Sequence, residues 1–323
     1  MGTWRQFACV AGLLLLAACQ RDATDENGSN APLKVQDPAF MAAEDQWRAQ
    51  RREELLKPDG WTSLVGLHWI QLKAHYIGNG PDSGIRLAVG PARLGMLSDE
   101  EGRIHFTPEP GVAVTFNGQP ISAKVEVPSD HDESPGVIGF DDGKGWLTVI
   151  ERGGRHALRV KHADAESRVR FAGLKYWPAA ADWKIQARFV PHPPGKTIPI
   201  VDITGTTTPS PNPGAVEFER DGRRYRLEAL GEPGGELFFV LADRTSGHGS
   251  YPAGRFLDAP PVVDGKVWLD FNQAYNPPCA FTPFATCPLP PPENRLDLAI
   301  SAGEQTYKLA PAATARPSQK ATQ

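Results

Sequence analysis

Trp146-Leu147-Thr148-Val149-Ile150-Glu151, then Arg152-Gly153-Gly154-Arg155, then His156-Ala157-Leu158-Arg159-Val160-Lys161 is the stretch on which the fold class turns. Both flanks read as strands, with the period-two character of a pleated chain that buries one face. Gly153-Gly154 suits a two-residue hairpin turn, whose central residues need positive φ. The same grammar extends in both directions. Upstream, Gly84–Val89, Val112–Phe116 and Ile121–Val127 alternate or run apolar over strand lengths. Downstream come Trp183–Val190, Ile198–Thr204, Val216–Glu219, Arg224–Leu230, Glu236–Ala242, Lys266–Phe271 and Arg295–Ser301. Asn117-Gly118, Asp142-Gly143 and Asp221-Gly222 are further hairpin signals. Many short strands, separated by 31 prolines and 32 glycines, predict a mainly β chain with a sandwich- or barrel-like antiparallel structure.

One helix is expected, at the N-terminal side of the strands. Asp37-Pro38 supplies an N-cap with proline at the first helical position. Phe40, Ala43, Trp47, Arg51 and Leu55 recur at helical spacing, and Pro58-Asp59-Gly60 stops the run. The apolar stripe is thin, so the helix should lie along a larger body. A division near residues 163–180 would give the helix and a first β-module over 37–165 and a second β-module over 166–309. One continuous β-domain is the alternative.

The ends of the chain have a different character. Residues 1–18 read as an export signal, with Arg5 ahead of an apolar run from Phe7 to Ala18 that is too short to span a membrane. Leu16-Ala17-Ala18-Cys19 resembles the lipobox of bacterial lipoproteins. That resemblance implies that Cys19 carries acyl chains such as palmitate, becomes the mature N-terminus and anchors the protein to a membrane, where several chains hold far better than one. Gln20, standing where Asp would signal inner-membrane retention, points to the outer membrane, facing the periplasm of the cell envelope. Residues 19–36 are polar and suit a flexible tether, and 310–323 read as a disordered tail. A net charge of −4 spread along the chain argues against a nucleic-acid partner, which needs a basic face.

With Cys9 removed and Cys19 acylated, Cys279 and Cys287 remain. In an exported chain two nearby thiols most simply form a disulfide, with free thiols and a metal as lesser alternatives. Closing so short a loop contributes about 2.6 kcal/mol in the chain-entropy account.

Enzyme signatures are missing: there is no Walker A loop, HExxH, GxSxG or CxxC. Gly78–Gly84 is glycine-rich but is followed by a strand and reads as a turn. The histidines are scattered, and the Gly247-His248-Gly249-Ser250 pair lacks the third group a Ser-His couple needs. No metal or cofactor is implied. Polar chemistry concentrates between Asp243 and Arg295, on a segment stiffened by proline and the cysteines. Rigid loops over a β-scaffold are where binding groups usually sit. Asp270 and Glu293 are the candidate acid/base pair there. Asp243, Tyr251, Arg255, Asn272, Tyr275, Asn276, Asn294 and Arg295 are candidate ligand-binding residues, the two arginines suiting a carboxylate or phosphate. The same residues could instead satisfy one another and the backbone as a structural network, or form a surface for an envelope protein partner.

Asp59-Gly60-Trp61, Gly66-Leu67-His68-Trp69, Tyr176-Trp177-Pro178 and the Asn272–Leu296 stretch, with Asn276-Pro277-Pro278-Cys279 and Cys287-Pro288, resemble the family called domain of unknown function 1684, over about residues 40–309. The resemblance implies no activity; it places the family's signature residues in the segment that composition had already singled out. Gly66–Gly78 is also similar to the start of forkhead-associated β-sandwiches. Asn79 stands where those modules have Arg, so only a sandwich-like shape follows. The expected protein is a lipid-anchored envelope protein that binds or hydrolyses a small polar or anionic ligand at the 243–295 segment, or else a non-catalytic interaction module. Replacing Cys19→Ser should leave the chain unacylated and soluble in the periplasm; continued membrane fractionation of that variant would contradict the lipobox reading.

Overall fold

The computed structural model describes residues 37–309; the expected export signal, Cys19, the expected tether and residues 310–323 lie outside the described residues. The hairpin forms where its turn chemistry places it. Gly145–Arg152 and Arg155–His162 pair antiparallel, with Arg152 opposite Arg155. Gly153 and Gly154 have φ of 57° and 71°, and a Cβ on Gly153 would approach Thr206 Cγ2 to 2.7 Å. Glycine is required there on both counts.

The hairpin sits inside a six-stranded open sheet in which Leu64–Trp69 flanks one side and Val137–Phe140 the other. A five-stranded sheet, built on the Ala74–Gly78, Gly95–Glu100 and Arg103–Pro108 strands, packs against it. Ile77, Leu97 and Phe106 from one sheet meet Ile138, Leu147, Val149, Leu158 and Val160 from the other in a common core. Alternation along each strand places these residues on one face. A second core, from Trp183 to Ala302, lies under a four-stranded sheet containing Lys184–Pro191, Gly214–Arg220, Arg223–Ala229 and Lys266–Asp270, joined by the Leu237–Leu241/Arg255–Ala259 ribbon. The ribbon serves two cores. Phe239, Leu241, Leu257 and Ala259 enter this one, whereas Val240 and Phe256 join Leu64, Ile198, Ile200, Leu230, Ala285 and Cys287 in a third. The architecture is therefore mainly β, antiparallel and sandwich-like, with open sheets rather than a closed barrel. Among the described strands the Ala74–Gly78/Ile85–Arg86 pairing is parallel, as are isolated bridges such as Ala242 with Arg295.

Several expected strands shrink. Gly84–Val89 keeps only Ile85–Arg86, Val112–Phe116 only Thr115–Phe116, and Ile121–Val127 only Val125–Glu126. Arg295–Ser301 forms no strand: it runs beside Ala242–Arg244, held by spaced bonds such as Leu296 N–H to the Ala242 carbonyl, and never completes a ladder. Gly95–Glu100 with Arg103–Pro108 is a hairpin absent from the sequence reading, its turn made by Glu101 and Gly102 at positive φ.

Helix α1 spans Pro38–Leu56, capped by Asp37, whose carboxylate accepts the Ala39 N–H at 3.0 Å. A one-turn helix, Glu166–Val169, follows the first sandwich. No described helix is long and apolar enough to cross a membrane. The face that α1 turns to the body is polar, which corrects the expected apolar stripe. Ala43 is exposed, and the buried residues are Glu44 and Leu55, with Trp47, Arg48 and Arg51 half-buried between them. Arg48 stacks on Tyr176, 4.5 Å from the ring centroid. Arg51 Nε donates to the fully buried Glu304 carboxylate at 2.9 Å, and Nη2 to the Asn276 carbonyl at 2.9 Å. Glu44 accepts from Gln273 at 3.1 Å. Burial, with the nearby Asp270 charge, raises the Glu44 carboxyl above its ordinary range.

Two outcomes follow. Glu304→Ala strands the Arg51 guanidinium and the Asn276 N–H, and should cost about 3–5 kcal/mol in urea unfolding; a loss below about 1 kcal/mol would remove Glu304 from this role. Because the folded chain holds the Glu44 proton more tightly than the unfolded chain, this group's contribution to stability falls as pH rises from the ordinary carboxyl range through its raised value. Unfolding free energies of Glu44→Gln and the parent, measured from pH 4 to 8, should diverge in favour of the variant at the alkaline end. Parallel curves would mean that Glu44 titrates normally.

Candidate functional site

The polar residues of the 243–295 segment are mostly sealed. Asp243 and Arg255 form an ion pair at 2.8 Å with neither side chain exposed. Arg255 also donates to the carbonyls of Ile300 at 2.9 Å, Ala302, and Glu304 at 3.4 Å. Asp243 accepts the Thr245 N–H at 2.7 Å and the Ile300 N–H at 3.3 Å. Asn294 is saturated by the backbone of Glu228 and Val240. Asn272 binds both backbone groups of Ala180 and the Asp270 carboxylate. Asn276 donates its N–H to Glu304 at 2.7 Å and its side-chain amide to the Gln305 carbonyl at 2.8 Å. These are groups that proline-rich backbone leaves in need of partners, now paired with one another.

Asp270 and Glu293 are not brought together. Asp270 faces Asn272 and Lys184, the latter at 3.6 Å. Glu293 is exposed on the Pro292–Asn294 turn, and no hydrogen bond or ion pair joins the two acids among the described residues. Arg295 is exposed and its side chain donates to the Pro290 carbonyl at 3.4 Å. Tyr251 donates to the Cys279 carbonyl at 3.1 Å, which secures the loop closed by the Cys279–Cys287 disulfide, whose Cα atoms are 6.1 Å apart. Among the described residues no group of three or more His, Cys, Asp or Glu side chains is arranged to hold a metal ion.

Tyr275 opens onto a substantial cleft. About 440 Å³ lies between α1 and the third core, a size ordinary for a small-molecule site. Successive turns of α1 contribute Trp47, Arg51 and Glu54, at the spacing that puts residues on one helix face. Trp61 follows from the Trp61–Ser63 turn, and Pro278 and Phe281 from the disulfide loop. The ribbon provides the floor. Phe238 pairs directly with Asp258, and Phe256 lies two residues along the same face. Phe238 and Phe256 meet edge to face at 4.9 Å, and Phe256 meets Tyr275 at 5.8 Å. Tyr275 is fixed by a double backbone exchange with Phe256.

Charge enters this aromatic box at few points. The Arg51 guanidinium lies 4.5 Å from the Tyr275 ring centroid while held by Glu304. Burial, and the adjacent Asp258 carboxylate to which its hydroxyl is bonded, hold the Tyr275 phenol well above its usual range. Asp258 is exposed along its outer edge, yet its carboxyl is raised, first by desolvation against the aromatic wall and then by the Glu236 charge. Glu54, at the rim, is bonded to Lys57 at 2.6 Å. The arrangement can hold a ligand with an apolar face against the rings while Asp258, Glu54 and Gln50 take its polar groups. Of these residues the helical spacing had exposed Trp47 and Arg51; Asp258 carried no signal, because its strand lay inside a segment read as loop.

None of the curated proteins matches the chain. Among solved structures, the solution structure of an uncharacterized protein of Haloarcula marismortui is 32% identical, over 43% of this chain and 79% of that one, with a TM-score of 0.36. The N-terminal FHA domain of EssC, a component of the bacterial type VII secretion apparatus, is 16% identical over 30% of this chain and 46% of that one, with a TM-score of 0.24. Neither superposition is close enough to carry a fold. The family described as protein of unknown function (DUF1684) matches residues 169–305, the second half rather than the whole 40–309 span expected from sequence. Through those residues, which include Asp258, Tyr275 and the disulfide loop, the chain belongs to the DUF1684 family.

Proposed function

We propose that this is a lipid-anchored envelope protein that binds a small hydroxyl-rich ligand, of one or two sugar rings, in the cleft between α1 and the Leu237–Leu241/Arg255–Ala259 ribbon. The observation that carries the reading is the meeting of aromatic faces with Asp258 inside one cleft. Trp47, Trp61, Tyr275 and Phe281 supply flat apolar surface, which suits the C–H face of a sugar, and the few polar groups set orientation. Asp258, whose carboxyl is raised by desolvation, offers acceptor oxygens that match hydroxyl groups. The anchor at Cys19 rests on the lipobox and would keep the cleft within a tether's reach of the membrane. For the remaining polar residues of the 243–295 segment, the sealed Asp243–Arg255 pair favours a stapling role, as in a non-catalytic module that meets an envelope partner.

Trp47 and Trp61 make the cleft its own reporter. Titration of the full chain with glucose and maltose should change its tryptophan fluorescence and raise its melting temperature. Trp47→Ala and Asp258→Asn should each weaken binding about tenfold, or about 1.4 kcal/mol. Fluorescence and melting curves that ignore every sugar, or unaltered affinity in both variants, would sink the assignment.

A further inference from the structure

Trp61 also marks the border of a second feature. Arg159 lies with its guanidinium 5.5 Å from the Trp61 ring centroid, and Lys161 Nζ lies at the same distance. Both project from the Arg155–His162 strand two residues apart, so the pleat places them on one face. Arg159 is only 9% exposed. Its Nη2 donates to the Thr286 hydroxyl at 3.3 Å, its Nε has no hydrogen-bond partner, and no carboxylate pairs with it among the described residues. The neighbouring acid, Asp130, is taken by Arg152 at 2.9 Å. Lys161 donates to the Asp59 carbonyl at 2.6 Å, and it too lacks a carboxylate partner. Desolvation lowers both cations, Arg159 to about 10.

A buried guanidinium without a counter-charge is costly to fold around, and such groups normally have a paired anion. Two other buried arginines are paired with acids: Arg255 with Asp243, and Arg51 with Glu304. Planar guanidinium and ammonium together suit a carboxylate or phosphate oxyanion. We propose that Arg159 and Lys161 form a subsite for an anionic group, a carboxylate or phosphate carried by a sugar whose ring lies against Trp61. The inference rests on the cleft reading and narrows its ligand class to acidic sugars. Trp61 is the shared wall: it lines the cleft and lies against both cations. Thr286, next to the disulfide residue Cys287, holds the guanidinium in place from the opposite element.

The test compares glucose, glucuronate and inorganic phosphate by calorimetric titration of the full chain. Glucuronate should bind at least tenfold more tightly than glucose, and phosphate should compete with glucuronate. Arg159→Met should erase that tenfold preference, leave glucose affinity unchanged and not lower the melting temperature, because it removes an unpaired buried charge. Lys161→Met, at a less buried position, should reduce the preference and checks against misfolding of the first variant. A structural role for Arg159 would instead show as a lower melting temperature with glucuronate preference intact, which overturns the subsite. Equal binding of glucose and glucuronate, with no phosphate competition, also overturns it while leaving the cleft reading standing. Binding of phosphate through Arg159 with no sugar bound by any form would uphold the anion site and reject the cleft; no binding of any probe rejects both.

Discussion

The buried carboxylate of Glu304 is the constraint around which this body is organised. A charge with no access to water must be fully partnered or it prevents folding. Here the carboxylate's partners come from two separate stretches of chain, Arg51 from helix α1 and the Asn276 N–H from the proline-rich loop, while the main-chain carbonyl of Glu304 accepts from Arg255 of the ribbon. Glu304, through side chain and backbone together, ties the helix, the loop and the ribbon to one another. The cleft is the space those three elements leave open.

This explains why a helix with so little apolar surface packs at all. Of the apolar residues of α1 Leu55 is buried and Phe40, Met41, Trp47 and Leu56 are partly covered, while Glu44, Arg48 and Arg51 make up much of its inner face. Buried ionic contacts are poor sources of net stability but strict about geometry. The helix is held in one rotation and one register, which sets where Trp47 and Glu54 project. The disulfide does the corresponding work on the other wall, restricting Pro278 and Phe281.

The hairpins were legible from sequence because their turns need positive φ, and Gly153-Gly154 or Asp221-Gly222 advertise it. The N-cap at Asp37 was legible for a similar reason, being local chemistry. The two-residue strands were not, because two paired residues are too few to show an alternation, as at Ile85–Arg86 beside Ile77 and Gly78 or Thr115–Phe116 beside Ile138 and Gly139. The polar segment 243–295 was correctly seen as dense, but its density had another cause. Asn272, Asn276 and Asn294 stand where irregular backbone needs side-chain amides, and no local pattern distinguishes that from a site. Asp258 escaped notice because a strand's two faces can be told apart only once its partner is known.

The ribbon that floors the cleft has one core on one side, and on the other a face shared by the third core and the cleft. Phe239 and Leu257 point one way, Phe256 and Asp258 the other. A slip of one residue would exchange these faces, driving Asp258 into the hydrocarbon interior and offering Leu257 to solvent. The floor of the cleft therefore depends on the register of the strands beneath it. A chain folded in the wrong register would lack that floor, so the cleft and the core are specified by the same pair of strands.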